Sequence, residues 1–448
     1  MMGGGLTAIA IVTLVFIELA LFGGDRLQIA LFIAGVELIA LGLLIAGSAW
    51  FRSALTRSSY LAAPALLLLL VMLWGYLQAL ALPWPEAMRT WPAQSWAYTP
   101  GRLPISIDTY RTITEVVKLG GIASLALIGA AIGKDDDRAH LTWNTIGVLG
   151  GIYVAFALIA YAHPIEGVGR VDGRLSATLG GPNPAATVLS IFVVMSWTAL
   201  LRAAASLTHQ DFSGQRLGVL LWNAAPWVLL LVLSFGALSL TGSRGGAGAC
   251  FVGLLASTIV MTWGEMRNRR ALGVIAISSL VVLACFTVLV MSSGSLAVRL
   301  SMVDDALANR REIISVYLAE LAHTPWTGMG LGTFHRFNQL LIGPGHNEVL
   351  WNLGALHNVF LQWIFEAGFL GAAAMFSAVG ILFVLTLGGL RRRRFGRTWI
   401  AGSTAISTVV LSHGLIDFGL QVPAIAALWA LVLGVGVSVS RPSSSSRD

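Results

Sequence analysis

The sequence contains little charge for its length. Only 11% of its 448 residues are charged and 56% are apolar, with a mean hydropathy of +0.80, whereas soluble domains carry about 25% charged residues. Its two cysteines provide no disulfide framework, and no His/Cys/Asp spacing typical of a metal site is present. The apolar runs are too long and too numerous for the core of a soluble protein, so the composition indicates a polytopic membrane protein.

Lysine is almost absent, since Lys118 and Lys134 are the only lysines among 28 basic residues. The net charge of +7 therefore comes almost entirely from arginine. Such an excess does not require nucleic acid as a partner, because cytoplasmic flanks of membrane spans or bound anionic groups also explain it. A basic region is also lacking at the N-terminus, so the first apolar segment is interpreted as a retained span rather than a signal peptide.

Twelve apolar segments are long enough to cross a bilayer, which takes about 20 residues. They are residues 6–22, 27–47, 60–82, 110–133, 141–162, 184–203, 219–240, 245–263, 271–291, 356–389, 398–418 and 421–440. The predicted fold is therefore an all-α polytopic membrane protein with about 12 transmembrane helices. It divides into a bundle of nine spans (1–291), a loop region (292–355), three further spans (356–440) and a cytoplasmic tail (441–448).

Arginine bias predicts the orientation of these spans. The basic stretches "KDDDR" (134–138), "EMRNRR" (265–270) and "RRRRFGR" (391–397) are expected on the cytoplasmic side. With twelve spans both termini then face the cytoplasm, and the longest external connection is the loop at 292–355. Val303, Ile313, Tyr317 and Leu321 recur there at helical spacing, which predicts an amphipathic helix on the membrane surface or over the bundle.

Some arginines fall on the external side, against the positive-inside rule. There are eleven of them: Arg26, Arg89, Arg102, Arg111, Arg170, Arg174, Arg244, Arg299, Arg310, Arg311 and Arg336. A guanidinium binds phosphate in a bidentate way and stays charged in any environment. The cluster therefore suggests a phosphate or diphosphate ligand, although solvated loop charges and snorkelling side chains are the alternative for any single arginine.

Two of these arginines have an informative setting. Arg244 lies in the short Gly-rich turn "LTGSRGGAGA" between two apolar segments, where it either faces a ligand or caps a helix C-terminus. Arg310 and Glu312 lie in "ANRREII" on the predicted external helix, where local ion pairs are the alternative to a binding role. The Gly-x-Gly-x-Gly run in "TPWTGMGLGTF" (324–334) lacks a preceding strand and a following Lys-Ser/Thr, so it predicts a tight loop against the bundle rather than a nucleotide site.

The segment "ALHNVFLQWIFEAGFLG" (355–371) places polar residues at the start of the tenth span. His357 is expected near the external interface, where a histidine with an ordinary pKa of about 6.5 suits a proton acceptor. Asn358, Gln362 and Glu366 follow at intervals of four, as one stripe whose alternative role is hydrogen bonding between helices. His413 and Asp417 form a second such pair, expected to be structural or supporting.

These motifs together resemble the O-antigen ligase and polymerase superfamily. The turn "LTGSRGGAGA" is similar to its Thr-Gly-Ser-Arg-Gly turn, and "NRREIISVYLAELAHTPWTGMGLGTF" to its Arg-x-Glu helix and Gly-rich loop. The block "LHNVFLQWIFEAGFLG" is similar to its His-Asn-x-x-Leu-Gln-x-x-x-Glu-x-Gly block. "GRLSATLGGPNPAA" (173–186) resembles its Arg-x-Ser-x-Thr-x-x-Asn-x-Asn segment, with Gly181 in place of the first Asn and Asn183 in place. "LQALALPWP", "ISIDTYRT" and "HGLIDFGLQVPA" complete the order over residues 70–435.

The resemblance implies a GT-C-type, inverting and metal-independent glycosyltransferase without a cofactor. It would act at the periplasmic face of the bacterial inner membrane on a polyprenyl-diphosphate-linked glycan. Arg244 and Arg310, with Arg174, would bind the diphosphate, His357 would activate the acceptor hydroxyl, and the polar residues near them, Glu312 and Asn183 included, would support the site.

The acceptor is either another lipid-linked repeat unit, which makes a polymerase of O-antigen or exopolysaccharide, or lipid A-core, which makes a ligase. The tail and the early loop resemble exopolysaccharide polymerases more. A transporter of lipid-linked oligosaccharide is the main rival class, and a non-catalytic membrane scaffold is the third. A transporter would show repeat symmetry and polar sites near the membrane midplane, whereas here the polar residues gather on one face.

Overall fold

The structure is a computed structural model in which helices dominate. It describes residues 2–24, 26–88, 102–207, 214–262, 311–324, 326–343, 350–351, 353–391 and 396–441. This part of the chain contains fourteen α-helices. They are α1 Met2–Ala20, α2 Leu27–Gly47, α3 Ala49–Thr56, α4 Ala62–Ala79, α5 Thr109–Ile132, α6 Asp136–Ala162, α7 Pro182–Leu207, α8 Gly214–Thr241, α9 Arg244–Thr262, α10 at 311–321, α11 Phe334–Leu341, α12 Val359–Leu387, α13 Arg397–Gly414 and α14 Pro423–Val439.

Nine of the described helices are long and apolar enough to cross a membrane: α1, α2, α4 to α9 and α12. The all-α polytopic prediction is confirmed. Two of the remaining predicted spans correspond to α13 and α14, and the predicted span 271–291 lies outside the described residues. The division of the chain at 291, 355 and 440 stays a prediction.

Helices α13 and α14 differ from the other spans because protein surrounds them. Every residue of α14 is buried, although this apolar helix has only 17 residues. Helix α13 packs against α9, α7 and α14, and it buries polar residues such as Ser403 and Thr404. A helix that contacts protein rather than lipid needs neither full span length nor uniform apolarity, which is why these two helices depart from the span pattern.

The centre of the bundle is closely packed where α5 and α14 meet. A Cβ on Gly129 would meet Leu431 O, and a Cβ on Gly434 would meet Ala126 O. Small residues let helix backbones approach in a membrane, where dispersion replaces the hydrophobic effect as the main attraction. The two helices therefore form a rigid centre around which the other spans pack.

A β-hairpin, which the all-α prediction did not include, follows α6. Strand β1 (Gly169–Val171) pairs antiparallel with β2 (Arg174–Ala177). Asp172 and Gly173 form the turn with φ of 50° and 73°, as a two-residue Asp-Gly hairpin requires. The hairpin contacts α6, α7 and α8 and thereby holds Arg174 against the end of α8.

The loop region has a small aromatic core of its own. Tyr317 of α10 is fully buried, and its ring centroid lies 5.2 Å from Phe334 and 5.6 Å from Phe365 of α12. Burial raises the pKa of Tyr317, and its hydroxyl donates to Asn338 Oδ1 at 2.6 Å. The amphipathic helix is confirmed over 311–321, where Leu318 is nevertheless half exposed, while 303–310 lies outside the described residues.

Helix α12 is broken at Gly368, which has φ 72° and ψ 175°. The Gly-rich loop docks at the break: the N–H groups of Met329 and Gly330 donate to Phe365 O and Glu366 O at 2.9 and 3.0 Å. Gln78 of α4 donates to Glu366 O at 3.0 Å. These donors replace the helical hydrogen bonds that the break removes. The predicted tight loop is confirmed, and it fixes the loop region to the bundle.

Candidate active site

Helices α7, α9 and α12 begin close together at one end of the bundle, next to the C-terminus of α13. Asn183, in the first turn of α7, donates to Asp417 Oδ2 at 2.6 Å. A Cβ on Gly245, in the first turn of α9, would lie 3.2 Å from His413 Nε2. His357, two residues before α12, has its Nδ1 atom 3.5 Å from Asp417 Oδ2. The segment 413–418 therefore connects the starts of all three helices.

The backbone of His357 has an uncommon conformation. Its φ is 56°, in the left-handed region that costs a non-glycine residue of order 1 kcal/mol. The imidazole ring packs edge-on against Phe418, with 5.1 Å between ring centroids, and its side chain is 29% exposed. The Nδ1 atom is buried without a hydrogen-bond partner among the described residues. A strained, partly exposed histidine beside a carboxylate is a candidate for proton transfer.

Asp417 is the carboxylate that faces His357. Its side chain is 1% exposed, and it accepts from Asn183 Nδ2 and, at 2.8 Å, from the N–H of Phe418. Burial raises the pKa of Asp417, but the interactions with His357 and His413 and the Phe418 N–H outweigh burial and leave that pKa below its ordinary value. At 3.5 Å the contact between His357 Nδ1 and Asp417 Oδ2 is at the limit of a hydrogen bond.

A second hydrogen bond joins α7 to the end of α13 beside Asp417. Thr187 Oγ1 and His413 Nδ1 share a hydrogen bond of 2.7 Å, one helical turn from the contact between Asn183 and Asp417. Residues spaced by four on α7 thus face residues spaced by four at the end of α13. His413 is 2% exposed, and it contacts Thr187 rather than the open side of the site.

The three arginines predicted to bind the diphosphate differ in what they contact. Arg174 Nε donates to Thr241 O at 2.7 Å and lies 3.3 Å from the Cβ position of Gly242, which has φ 59°. Arg244 is the first residue of α9; it is exposed and has no ion-pair partner among the described residues. As the first residue of α9 it lies at a helix N-terminus, and no bond from it to a helix C-terminal carbonyl occurs among the described residues. The structure brings Arg174 and Arg244 to the same turn, whereas Arg310 lies outside the described residues.

The polar residues of the tenth span do not form a single stripe as predicted. Asn358 precedes α12 in an extended conformation, and its Oδ1 atom accepts from the Leu361 N–H as an N-cap. Gln362 and Glu366 do share one helix face and are hydrogen bonded at 2.9 Å. Glu366 accepts from the N–H groups of Gly332 and Phe334 in the Gly-rich loop, whereas Gln362 accepts from the Leu356 N–H. Glu312 is exposed on α10.

Apart from the buried Asp417 carboxylate, the charges at this end are positive or partly positive and favour an anion. A helix N-terminus carries a partial positive charge of about half a unit, and three such ends meet here alongside Arg174 and Arg244. Unpaired backbone N–H groups at helix starts are common phosphate ligands. No group of three or more His, Cys, Asp or Glu side chains that could hold a metal occurs among the described residues.

Sequence reasoning missed two members of the site. Thr187 and Thr241 were not singled out, although Thr187 follows Asn183 by one helical turn and Thr241 belongs to the turn of Arg244. Asp417 was assigned only a structural or supporting position, yet it contacts His357 directly. The signal for Asp417 was a buried carboxylate within a membrane bundle, which requires a partner.

Comparison with known proteins adds one finding. Residues 229–376 match the family model described as O-antigen ligase. The match includes Arg244, Glu312 and His357, while Arg174, Asn183 and Asp417 lie outside its range. No curated protein matches the chain.

Proposed function

Because residues 229–376 match the family model described as O-antigen ligase, we propose that the chain is a membrane glycosyltransferase. It transfers a polyprenyl-diphosphate-linked glycan to an acceptor sugar at the periplasmic face of the inner membrane. The observation that carries the proposal is the contact between His357 Nδ1 and Asp417 Oδ2, beside the helix start that presents Arg244. It combines a proton acceptor with an anion site in one place.

His357 acts as the general base in this reaction. With Nδ1 facing Asp417, the imidazole presents its Nε2 atom to the acceptor hydroxyl and takes its proton. The acceptor oxygen forms a bond to the anomeric carbon, the bond from that carbon to the diphosphate breaks, and the configuration inverts. Asp417 holds the ring orientation and stabilises the imidazolium that forms.

The leaving diphosphate departs as an anion, so the site must stabilise its growing negative charge. Arg244 provides an exposed guanidinium at the start of α9, and Arg174 is held at the same turn through Thr241 O. The N-termini of α7, α9 and α12 add fixed positive ends that need no reorganisation. Arg310 is assigned to the same role from its motif. Since this charge comes from the protein, we expect EDTA to leave the transfer rate unchanged.

Polymerisation of O-antigen or exopolysaccharide repeat units is the preferred form of the reaction. Transfer of finished polymer to lipid A-core is the second candidate, and the description of the matched family favours it. The two reactions share the donor and differ in the acceptor, so the glycans that accumulate in cells distinguish them.

The test uses cells that lack this chain and express wild type, His357→Ala, Arg244→Ala or the control Arg170→Ala. Arg170 is an exposed arginine on the neighbouring hairpin. Surface and lipid-linked glycans are resolved on gels, and membrane levels of each variant are measured. We expect His357→Ala and Arg244→Ala to accumulate single lipid-linked repeats at normal protein levels. We expect Arg170→Ala to behave as wild type.

Other outcomes have defined meanings. A full-length polymer stranded on carrier lipid indicates the ligase reaction. A normal ladder and normal transfer in both site variants overturns the catalytic assignment and favours a transporter or a non-catalytic role.

A further inference from the structure

A polar cleft lies between the start of α5 and helix α11, outside the site described above. Its volume is about 440 Å³, within the range of about 300–1,000 Å³ typical of small-molecule sites. The lining residues are Ile107, Asp108, Thr109, Tyr110, Arg111, Gly332, His335, Arg336 and Gln339. None of them belongs to the proposed active site.

The two walls of the cleft are cross-linked, so its shape is fixed before a ligand arrives. The Ile107 N–H donates to Met329 O at 3.0 Å, and Thr112 Oγ1 donates to Leu331 O at 3.0 Å. Gly332 in turn donates its N–H to Glu366 Oε2 at 2.9 Å. These bonds tie the first turn of α5 to the loop that precedes α11, and the loop in turn is tied to α12.

The side chains that line the cleft are suited to an anionic sugar. Arg111 and Arg336 supply two guanidinium groups, and neither has an ion-pair partner among the residues that the structure describes. The carboxylate Asp108 accepts from the Arg111 N–H as the N-cap of α5, so its charge is engaged by the helix start. The guanidinium groups therefore remain for a carboxylate or a phosphate.

Further polar groups and one aromatic ring lie beside the two guanidinium groups of the cleft. Arg336 Nη1 donates to Gln339 Oε1 at 3.3 Å, and Gln339 Nε2 lies 3.1 Å from His335 Nε2, which makes a short row of polar groups along α11. Tyr110 is 62% exposed at the rim and offers a flat apolar face for a sugar ring. The hydroxyl groups of a sugar can form hydrogen bonds with this row of polar groups.

We infer that the cleft between α5 and α11 binds an oligosaccharide that carries a carboxylate or phosphate group. The chemistry that recognises it is two guanidinium groups, a polar row and one aromatic face. The assignment of this saccharide as part of the acceptor rests on the proposed function, whereas the binding itself does not.

The test measures binding to full-length protein in nanodiscs made of zwitterionic lipid, which removes anionic headgroups as a source of the anion. The probes are tetragalacturonate, neutral maltotetraose and inorganic phosphate. The variants are Arg111→Gln and Arg336→Gln, with Arg170→Gln as the matched control. We expect saturable binding of tetragalacturonate, weakened roughly tenfold or more by each cleft variant through the loss of a charge-assisted hydrogen bond, and unchanged in Arg170→Gln.

Three outcomes overturn the inference: equal binding by all variants, equal affinity for maltotetraose, or affinity for inorganic phosphate as high as for the tetrasaccharide. The result is independent of transfer activity. A protein that binds tetragalacturonate in this way but transfers no glycan from a lipid-linked donor to any acceptor would support this inference and refute the proposed function.

Discussion

The start of α12 has two polar regions that differ in how far their hydrogen bonds are satisfied. At Glu366, both carboxylate oxygens accept hydrogen bonds, from Gln362, Gly332 and Phe334, and Gln362 Oε1 accepts from the Leu356 N–H. At His357, fewer than ten residues away, Nδ1 is buried without a hydrogen-bond partner among the described residues and the backbone is strained. Both regions are polar groups in an apolar bundle.

The difference in hydrogen bonding between Glu366 and His357 indicates which of these polar groups stabilises the fold. A fully bonded group rigidifies its surroundings, and its removal leaves buried partners unsatisfied. A strained and incompletely bonded group contributes little to stability and persists where it has another use. We therefore expect loss of Glu366 to affect stability and loss of His357 to affect transfer. Each prediction below tests one side of this comparison.

The largest effect is expected for His357→Ala. The transfer rate should fall by about 10²- to 10⁴-fold, the usual contribution of a general base. The melting temperature should change little, because the substitution removes no hydrogen bond from the fold. Purified protein with a lipid-linked donor and an acceptor glycan gives the rate by chromatography, and exposed His163 provides the control variant His163→Ala. A large fall in melting temperature alongside the loss of rate would contradict the comparison.

Glu366→Ala should lower the free energy of unfolding by about 3 kcal/mol, since three donors lose their acceptor at roughly 1 kcal/mol each. Tryptophan fluorescence during heating in detergent measures the loss. The control is Glu166→Ala, at an exposed glutamate. A melting temperature equal to that of wild type would show that these hydrogen bonds do not fix the loop.

Gly368→Ala should destabilise the protein by about 2 kcal/mol, because a non-glycine residue at φ 72° is strained and its Cβ would meet Trp326 O. The matched control is Gly380→Ala on the same helix, where a Cβ meets nothing within 4 Å. Thermal unfolding of both variants gives the comparison. If Gly380→Ala is the more damaging substitution, the break in α12 is not what holds the loop.

Asp417→Asn should produce the smallest effect on stability, about 1.5 kcal/mol at neutral pH, from weaker hydrogen bonds to a neutral side chain. The pKa of Asp417 is lowered in the folded protein, so the ionised carboxyl stabilises the fold above the unfolded pKa of about 3.9. This contribution is lost as pH falls through the lowered pKa. The difference in melting temperature between wild type and variant should therefore be constant from pH 7 to 5 and narrow below pH about 4.

A constant difference down to pH 3 would show that Asp417 does not contribute through its charge. The same variant should transfer glycan more slowly than wild type at neutral pH, because the His357 ring loses the carboxylate that orients it.

Much of the fold follows from local patterns. Eleven of the twelve predicted spans correspond to described helices, nine of them long and apolar enough to cross a membrane, because long apolar runs need no tertiary information. The hairpin at 169–177 was not predicted, although its Asp172-Gly173 turn is a strong local signal, because strands of 3 and 4 residues are too short to show an alternating pattern. The break at Gly368 depends on donors from α4 and from the loop near Gly328, and a contact between distant parts of the chain is not visible in local sequence.

Only part of the candidate site could be predicted from the sequence. The positions of Arg244 and His357 follow from their motifs, and the family match includes both. The partnership of His357 with Asp417 requires α12 and α13 to meet at one end. The functional roles of all the site residues stay predictions until the variants are measured.

The break in α12 also constrains the order in which the protein can be assembled. Gln78 and Trp74 of α4 donate to the carbonyls of Glu366 and Ala367, nearly three hundred residues later in the chain. The side chains of Gln78 and Trp74 are therefore synthesised long before their acceptors, and the Gly-rich loop cannot dock until residues 365–369 have been inserted. In a chain that stops before α12, Gln78 and Trp74 lie in the bilayer without those acceptors. Polar groups exposed in this way distinguish an incomplete chain from a finished one.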